Sequence, residues 1–373
     1  MRIERVLGWH LRLPLLFPFE TSFGRVNDKE TVIVRVDAEG LAGWGECPVA
    51  ATPGYSYETV ATAQHALRDF LVPLLLRGPY ADPAELPERF APVRGHPMAK
   101  AGLEAACWDL EARRRGVPLA RVYGGEPRRI PTGISLGIEP TVPELVERAR
   151  RALATGYRRI KIKIKPGWDE APLAALRAEF PKAAFMADAN GAYRPEDAAR
   201  LARLDGFGLT MLEQPLHFED FGEHAALARK LVTPICLDES IRNPGDAAHA
   251  IAIGACRIIN IKPARVGGPT QARRVHDVCR ERGVPAWCGG LLETGIGRAH
   301  NLAIATLPGF SMPGDLSASD RYWAEDLIEP PVRLEPDGTI AVPDRVGLGY
   351  DVVPGRLERH AVARWTIDGG TGA

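Results

Sequence analysis

Five ionisable residues recur along the chain at nearly constant spacing. Lys163, Asp188, Glu213, Asp238 and Lys262 are separated by 25, 25, 25 and 24 residues. Each closes, or nearly closes, a short apolar run and stands just before turn-forming residues. Carboxylates converging without a cation would repel and raise one another's pKa values. A hard divalent ion relieves this, and Mg²⁺ suits a few carboxylates completed by water or substrate oxygens. Mn²⁺ satisfies the same pattern. No histidine or cysteine shares the phase, which argues against zinc. A metal flanked by two lysines predicts one reaction class. A small-molecule carboxylate binds the ion, a lysine takes the proton on the adjacent carbon, and the cation stabilises the enediolate. Two opposed bases give racemisation. One base with a leaving group on the next carbon gives syn elimination.

Only eight of the 47 basic residues are lysine. Arginine cannot release its proton near neutral pH, so a lysine in an apolar strand of such a chain points to chemistry. Lys161 lies two residues before Lys163 and therefore on the same strand face. It is expected to depress the pKa of Lys163 and to hydrogen-bond a substrate carboxylate oxygen. Arg265, three residues after Lys262, is expected to do the same on the far side. The competing reading of Lys163 and Lys262 is a pair of structural ion pairs.

The elements that must position these groups alternate between strand and helix from about 130 to 310. Thr132–Ile138, Arg158–Ile164, Ala184–Asp188, Leu209–Glu213, Pro234–Asp238, Arg257–Lys262 and Pro285–Gly289 read as strands buried on both faces. Val142–Ala154, Pro195–Leu204 and Pro269–Arg282 read as helices between them. This alternation means parallel strands with crossover helices, and its period suits a closed (β/α) barrel of modified TIM type. With Thr132–Ile138 first, Lys163 lies on the second strand and Lys262 on the sixth, opposed in a ring of eight. Both then face the carboxyl-end mouth, where barrel active sites lie. Residues 1–125 read as an α+β capping domain, 126–325 as the barrel and 326–373 as a C-terminal segment returning to the cap. Val332–Val342, with its Pro336-Asp337-Gly338 turn, reads as a hairpin packed on the first domain.

Composition bounds the rest. The 373 residues are 45% hydrophobic and 25% charged, with 47 basic and 47 acidic groups, so no bulk charge steers the chain to nucleic acid or to a membrane. The apolar run Leu71–Leu76 is far shorter than the roughly 20 residues that span a bilayer. No signal peptide is read at the N-terminus, and the six cysteines contain no CxxC pair. A cytoplasmic protein with reduced thiols is expected.

Several motifs carry a family resemblance. KIK (Lys161–Lys163), DAN (Asp188–Asn190), EQP (Glu213–Pro215), DES (Asp238–Ser240) and IKPARVGG (Ile261–Gly268) resemble the enolase superfamily, muconate-lactonising-enzyme subgroup. CGGLLETGIGRAHN (Cys288–Asn301) and PGDLSASDRY (Pro313–Tyr322) are similar to its o-succinylbenzoate synthase / N-succinylamino acid racemase branch, and WGEC (Trp44–Cys47) and SFGR (Ser22–Arg25) fit it too. The resemblance implies Mg²⁺ on Asp188, Glu213 and Asp238, and Lys163 and Lys262 as the acid/base pair. It implies Lys161 on the substrate carboxylate, and Asn190 and Glu239 supporting the ligands, with Asn190 within reach of the substrate. It also implies Ser135, Gly290 and Leu292 at the acyl end, cap loops near Thr21–Phe23 and Pro48–Tyr55 closing over the substrate, and a dimer or octamer. The expected reactions are dehydration to 2-succinylbenzoate in menaquinone biosynthesis, racemisation of N-succinyl or other N-acyl amino acids, or both. A muconate-type cycloisomerase or dipeptide epimerase would use the same barrel residues. Two readings from other classes are a metal-independent Schiff-base aldolase and a non-catalytic scaffold descended from an enzyme.

Overall fold

The computed structural model describes residues 1–370. Its N-terminal part is built on an antiparallel meander of β1 (Arg5–Thr21), β2 (Gly24–Ala38) and β3 (Leu41–Cys47). Period-two alternation divides the side chains of this sheet between two cores. Val32, Val34 and Val36 pack against the cap's own helices. Leu11, Leu13, Ile33 and Trp44 join the core that continues into the barrel. The long helix α1 (Pro97–Arg115) lies directly on β3, and glycine makes that approach possible. A Cβ at Gly43 or Gly45 would sit 2.1 Å from the carbonyl oxygen of Ala106 or Gly102. The C-terminal strand Ala361–Asp368 adds to β1 as the outer strand of this sheet.

The barrel supplies seven parallel strands in sequential order: β4 (Ile134–Leu136), β5 (Ile160–Lys163), β6 (Phe185–Asp188), β7 (Leu212–Glu213), β8 (Ile235–Leu237), β9 (Ile258–Ile261) and β10 (Ala286–Cys288). Helices α2 (Val142–Ala154), α3 (Glu170–Glu179), α4 (Ala198–Arg203), α5 (Phe221–Ala228), α6 (Pro244–Ala252), α7 (Pro269–Glu281) and α8 (Gly295–Ile304) follow them in turn. In β5 the alternation is explicit. Ile160 and Ile162 enter the core shared with the helices, while Lys161 and Lys163 point into the barrel. Met186, Met211, Cys236, Ile258 and Trp287 form a separate apolar plug inside the ring.

The ring is closed by a non-strand segment rather than by an eighth strand. Phe310 bridges to Ala286 and Gly314 to Thr132. Asp315 N–H donates to Cys288 O at 3.1 Å, and Gly133 N–H donates to Gly314 O at 2.7 Å. Pro313, which has no N–H, keeps this stretch from continuing as a ladder. Two further expectations are corrected. Val332–Val342 does form its turn, with Gly338 at φ 74, but Thr339–Ala341 pairs with Arg129–Pro131 instead of folding back as a hairpin. The chain returns to the cap sheet through Ala361–Asp368. The stretch opening at Pro195 starts with a 3₁₀ turn, Pro195–Asp197, before α4.

Buried carboxylates of the cap sit on helix N-termini of the barrel, where free N–H groups and the helix dipole favour negative charge. Glu46 accepts from Thr294 N–H (3.0 Å), Thr294 Oγ1 (2.7 Å) and Gly297 N–H (3.0 Å) at the start of α8. Glu104 of α1 accepts from Thr270 N–H at the start of α7 (2.8 Å). The adjoining Gly268, at φ 130, has no room for a Cβ, which would lie 2.1 Å from Glu104 Oε2. The cap is thereby fixed on the rim from which the site opens. All six cysteines are free and buried. Among the described residues no helix is long and apolar enough to cross a membrane.

Candidate active site

Lys163 and Lys262 enter one cavity of about 570 Å³ between the barrel mouth and the cap. Lys163 ends β5 and Lys262 follows β9, four steps apart in the strand order. Lys163 Nζ donates to Asp188 Oδ2 and Asn190 Oδ1, both at 2.6 Å. Lys262 Nζ donates to Asp238 Oδ2 at 2.7 Å and to Tyr55 Oη at 3.1 Å. Ser135, Lys161, Asn190, Gly290 and Leu292 also line the cavity, as do Thr21, Phe23 and the loop Pro48–Tyr55. Ser135 Oγ is buried without a hydrogen-bond partner. Lys29 holds the root of the Pro48–Tyr55 loop through Pro48 O (2.9 Å) and Val49 O (2.7 Å).

Asp188, Glu213 and Asp238 are fully buried behind the lysines. Strand register sets Lys163, Asp188 and Glu213 side by side, with Asp238 two residues beyond the partner of Glu213. Asp188 and Glu213 converge on one point, which the Lys161 ammonium takes, at 3.2 and 3.0 Å. Asp238 turns instead to Lys262, Arg265 and Tyr55. Among the described residues no three carboxylate, histidine or cysteine groups already surround a common centre. The donor set nonetheless fits a hard divalent cation. It is all oxygen, and a singly charged ammonium stands among its members. Burial, then the charge of Asp188, pushes the Glu213 carboxyl up to about 8. Glu239, at the edge of the cluster, is pushed up to about 7 by burial and then by Asp238. It accepts from Asn190 Nδ2 at 2.8 Å, while its Oε2 has no partner.

Sequence reasoning expected neighbouring cations to depress the amine pKa values. At Lys262 the shift is upward. Burial, the largest single effect, favours the neutral amine, but Asp238, Tyr55 and Glu239 together outweigh it and hold the ammonium form. Arg265 is not on the cavity wall. It donates to Asp238, Ile241 O and Asn260 O, and so buttresses the carboxylate behind Lys262.

Comparison with known proteins gives the family. Residues 6–124 match the mandelate racemase / muconate lactonizing enzyme N-terminal domain, and residues 144–355 match the enolase C-terminal domain-like family. The chain belongs to the enolase superfamily. It is 54% identical over 361 residues to o-succinylbenzoate synthase of Geobacillus kaustophilus, covering 96% of both chains. It is 48% identical over 359 residues to N-succinylamino acid racemase of Thermus thermophilus, covering 96% of this chain and 97% of that one. A solved enolase-superfamily member from Listeria innocua aligns with a TM-score of 0.95 at 39% identity, over 99% of this chain and 100% of the other. This member of the superfamily is thus an enzyme, with relatives of both the synthase and the racemase name.

Three residues of this enolase-superfamily site escaped sequence reasoning as individuals. Tyr55 ends the cap loop Pro48–Tyr55; its hydroxyl reaches Asp238 Oδ1 (2.9 Å) and its ring lies 4.3 Å from Lys262 Nζ. Asp315 lies in PGDLSASDRY, where nothing local marks it out; its Oδ2 is 2.6 Å from Lys161 Nζ. Arg159 begins the alternation that continues through Lys161 and Lys163, a signal present in the sequence.

Proposed function

We propose that this enzyme removes and returns a proton alpha to a carboxylate, acting as an o-succinylbenzoate synthase, as a racemase of N-succinyl and other N-acyl amino acids, or as both in one site. The observation that carries this reading is the pair of amines, Lys163 and Lys262, entering one cavity from strands four steps apart. A planar intermediate between them exposes one face to each. Racemisation uses both amines. Syn dehydration needs one to take the proton and return it to the leaving hydroxyl.

Asp188, Glu213 and Asp238 would hold Mg²⁺, or Mn²⁺ in its place. When bound, the ion supplies positive charge that offsets the charge developing on the substrate carboxylate. Lys161 takes one carboxylate oxygen by a charge-assisted hydrogen bond. Asn190 meets the substrate and, through its bonds to Lys163 and Glu239, fixes the direction of the Lys163 amine. Arg265 holds Asp238 against Lys262. The unpartnered Ser135 hydroxyl and the Gly290–Leu292 backbone receive the acyl tail, and the two cap loops exclude water above it. The same reading places the enzyme in the cytoplasm, serving menaquinone biosynthesis when it dehydrates, as a homo-oligomer, dimer or octamer. It divides the chain into a cap of residues 1–125, a barrel of 126–325 and a C-terminal segment of 326–373.

The test is incubation with each enantiomer of an N-succinyl amino acid in D₂O with Mg²⁺, alongside the cyclohexadiene precursor of 2-succinylbenzoate. Exchange at Cα or formation of the aromatic product is expected. Absence of both overturns the assignment.

A further inference from the structure

The floor of the cavity carries a charge arrangement that proton transfer leaves unused. Arg159, Lys161 and Lys163 alternate along β5 and its lead-in, so the three cations share one face, with successive members roughly 6–7 Å apart. Like charges at that separation inside a protein repel. Asp315 sits between the lower two. Its Oδ2 lies 2.6 Å from Lys161 Nζ and its Oδ1 accepts from Arg159 Nη2 at 2.7 Å. Both oxygens of this nearly buried carboxylate are therefore used. Its surroundings are stiff: the backbone is bonded to β10 through Cys288 O, and Gly314 before it is bonded to Gly133. Arg159 is 2% exposed and its guanidinium stacks 4.3 Å from the Trp287 ring.

Lys161 is shared unevenly. It lies 2.6 Å from Asp315 but 3.0 Å from Glu213 and 3.2 Å from Asp188. Without Asp315, the ammonium would settle on the two carboxylates assigned to the divalent ion and compete with it there.

We propose that Asp315 is a positioning residue, which draws the Lys161 ammonium to its own side of the barrel and so leaves Glu213 and Asp188 to a divalent cation, with Arg159 as the counter-charge that holds Asp315 in place. Lys161 then stays a fixed positive charge for the substrate carboxylate, separate in role from the proton-transferring Lys163. The inference rests on the reading of Glu213 and Asp188 as cation ligands given above.

The experiment is calorimetric titration of the metal-free protein with Mg²⁺, for wild type, Asp315→Asn and the double variant Asp315→Asn/Arg159→Met. Asp315→Asn keeps the shape and removes the charge. The double variant also removes the arginine left unpaired in the interior, which separates release of Lys161 from the cost of an uncompensated buried charge. The Mg²⁺ dissociation constant is expected to rise about 10–100-fold in both, the range seen when groups supporting a metal's ligands are lost. KM for an N-succinyl amino acid should rise with it at saturating Mg²⁺. Should Asp315→Asn fail to fold, the double variant carries the test. Mg²⁺ affinity within about twofold of wild type in either folded variant overturns the inference, while proton exchange by the wild type would leave the proposed function standing. A wild type that neither binds Mg²⁺ nor exchanges a proton overturns both.

Discussion

Tyr55→Phe offers a sharp test of the site, because it removes one atom from one face. The hydroxyl donates to Asp238 Oδ1 at 2.9 Å and accepts from Lys262 Nζ at 3.1 Å and Arg265 Nη1 at 3.4 Å. On the opposite face Lys163 is bonded to Asp188 and Asn190, and Tyr55 is not among its partners. Phenylalanine keeps the ring over the Lys262 amine, and with it a cation–π contact of about 0.5–2 kcal/mol. What is lost is a hydrogen bond between charged or charge-bearing groups, about 1.5–3 kcal/mol. At 1.36 kcal/mol per tenfold, that predicts a fall of about 10- to 150-fold in proton transfer at Lys262. Transfer at Lys163 should change little. Deuterium incorporation at Cα, followed by NMR from each pure N-succinyl enantiomer, separates the two faces. One enantiomer should slow markedly while the other keeps its rate. Equal slowing of both would mean that Tyr55 acts through lid closure or binding and not through Lys262, and unchanged rates would mean that the hydroxyl is idle.

Three other outcomes are expected. Lys163→Ala should lower racemisation by about 10²–10⁴-fold, the usual contribution of a general acid or base, and chiral chromatography of the product reads it directly. Gly45→Ala should lower the melting temperature, since its Cβ would sit 2.1 Å from Gly102 O; overpacking of this kind costs about 1–3 kcal/mol, and a scanning fluorimetry midpoint equal to wild type would contradict the packing of α1 on β3. Glu104 is pushed up from 4.5 to about 7 by burial, against the bonds from Thr270 and Trp108, so the folded state holds a proton that the unfolded chain releases first. Its contribution to stability should therefore fall as pH rises through that window, by at most about 3 kcal/mol, and level off about one unit above it; melting temperatures of wild type and Glu104→Gln from about pH 4 to about 9 should differ in slope there and run parallel above about pH 8.

The placement of the candidate site was legible because its residues lie on a period. Lys163, Asp188 and Glu213 are consecutive ladder partners, so equal βα units bring equal phases to one level of the mouth. What broke the period was hidden. Asp315 occupies the eighth place in the ring, but Pro313 and Gly314 keep its segment from reading as an apolar strand. Tyr55 reaches Asp238 across 183 residues of sequence, and no local pattern encodes such a contact. The turn at Pro336–Gly338 was readable from its residues, yet the partner of Thr339–Ala341 lies at Arg129–Pro131, so turn chemistry located the bend and misnamed the strand it serves. Lys161, Lys163 and Lys262 stood out because the chain is poor in lysine. Arg159, at the same phase as the first two, was submerged among many arginines.

The irregular closure of the barrel bears on the chemistry. An eighth strand in full register would spend its backbone on two ladders and fix its side chains by alternation alone. The segment from Phe310 to Asp315 makes scattered bonds to β10 and to the chain entering β4. With Pro313 interrupting the ladder, the carboxylate of Asp315 meets both Arg159 and Lys161, two residues apart on β5. Strand regularity places the repeated acids and amines of the mouth. The break in regularity places Asp315 beside Arg159 and Lys161, the contact on which the proposed sorting of a fixed charge from a proton carrier depends. On that proposal, a variant that restored a regular eighth strand would complete the sheet and lose the sorting, with weaker Mg²⁺ binding as its readout.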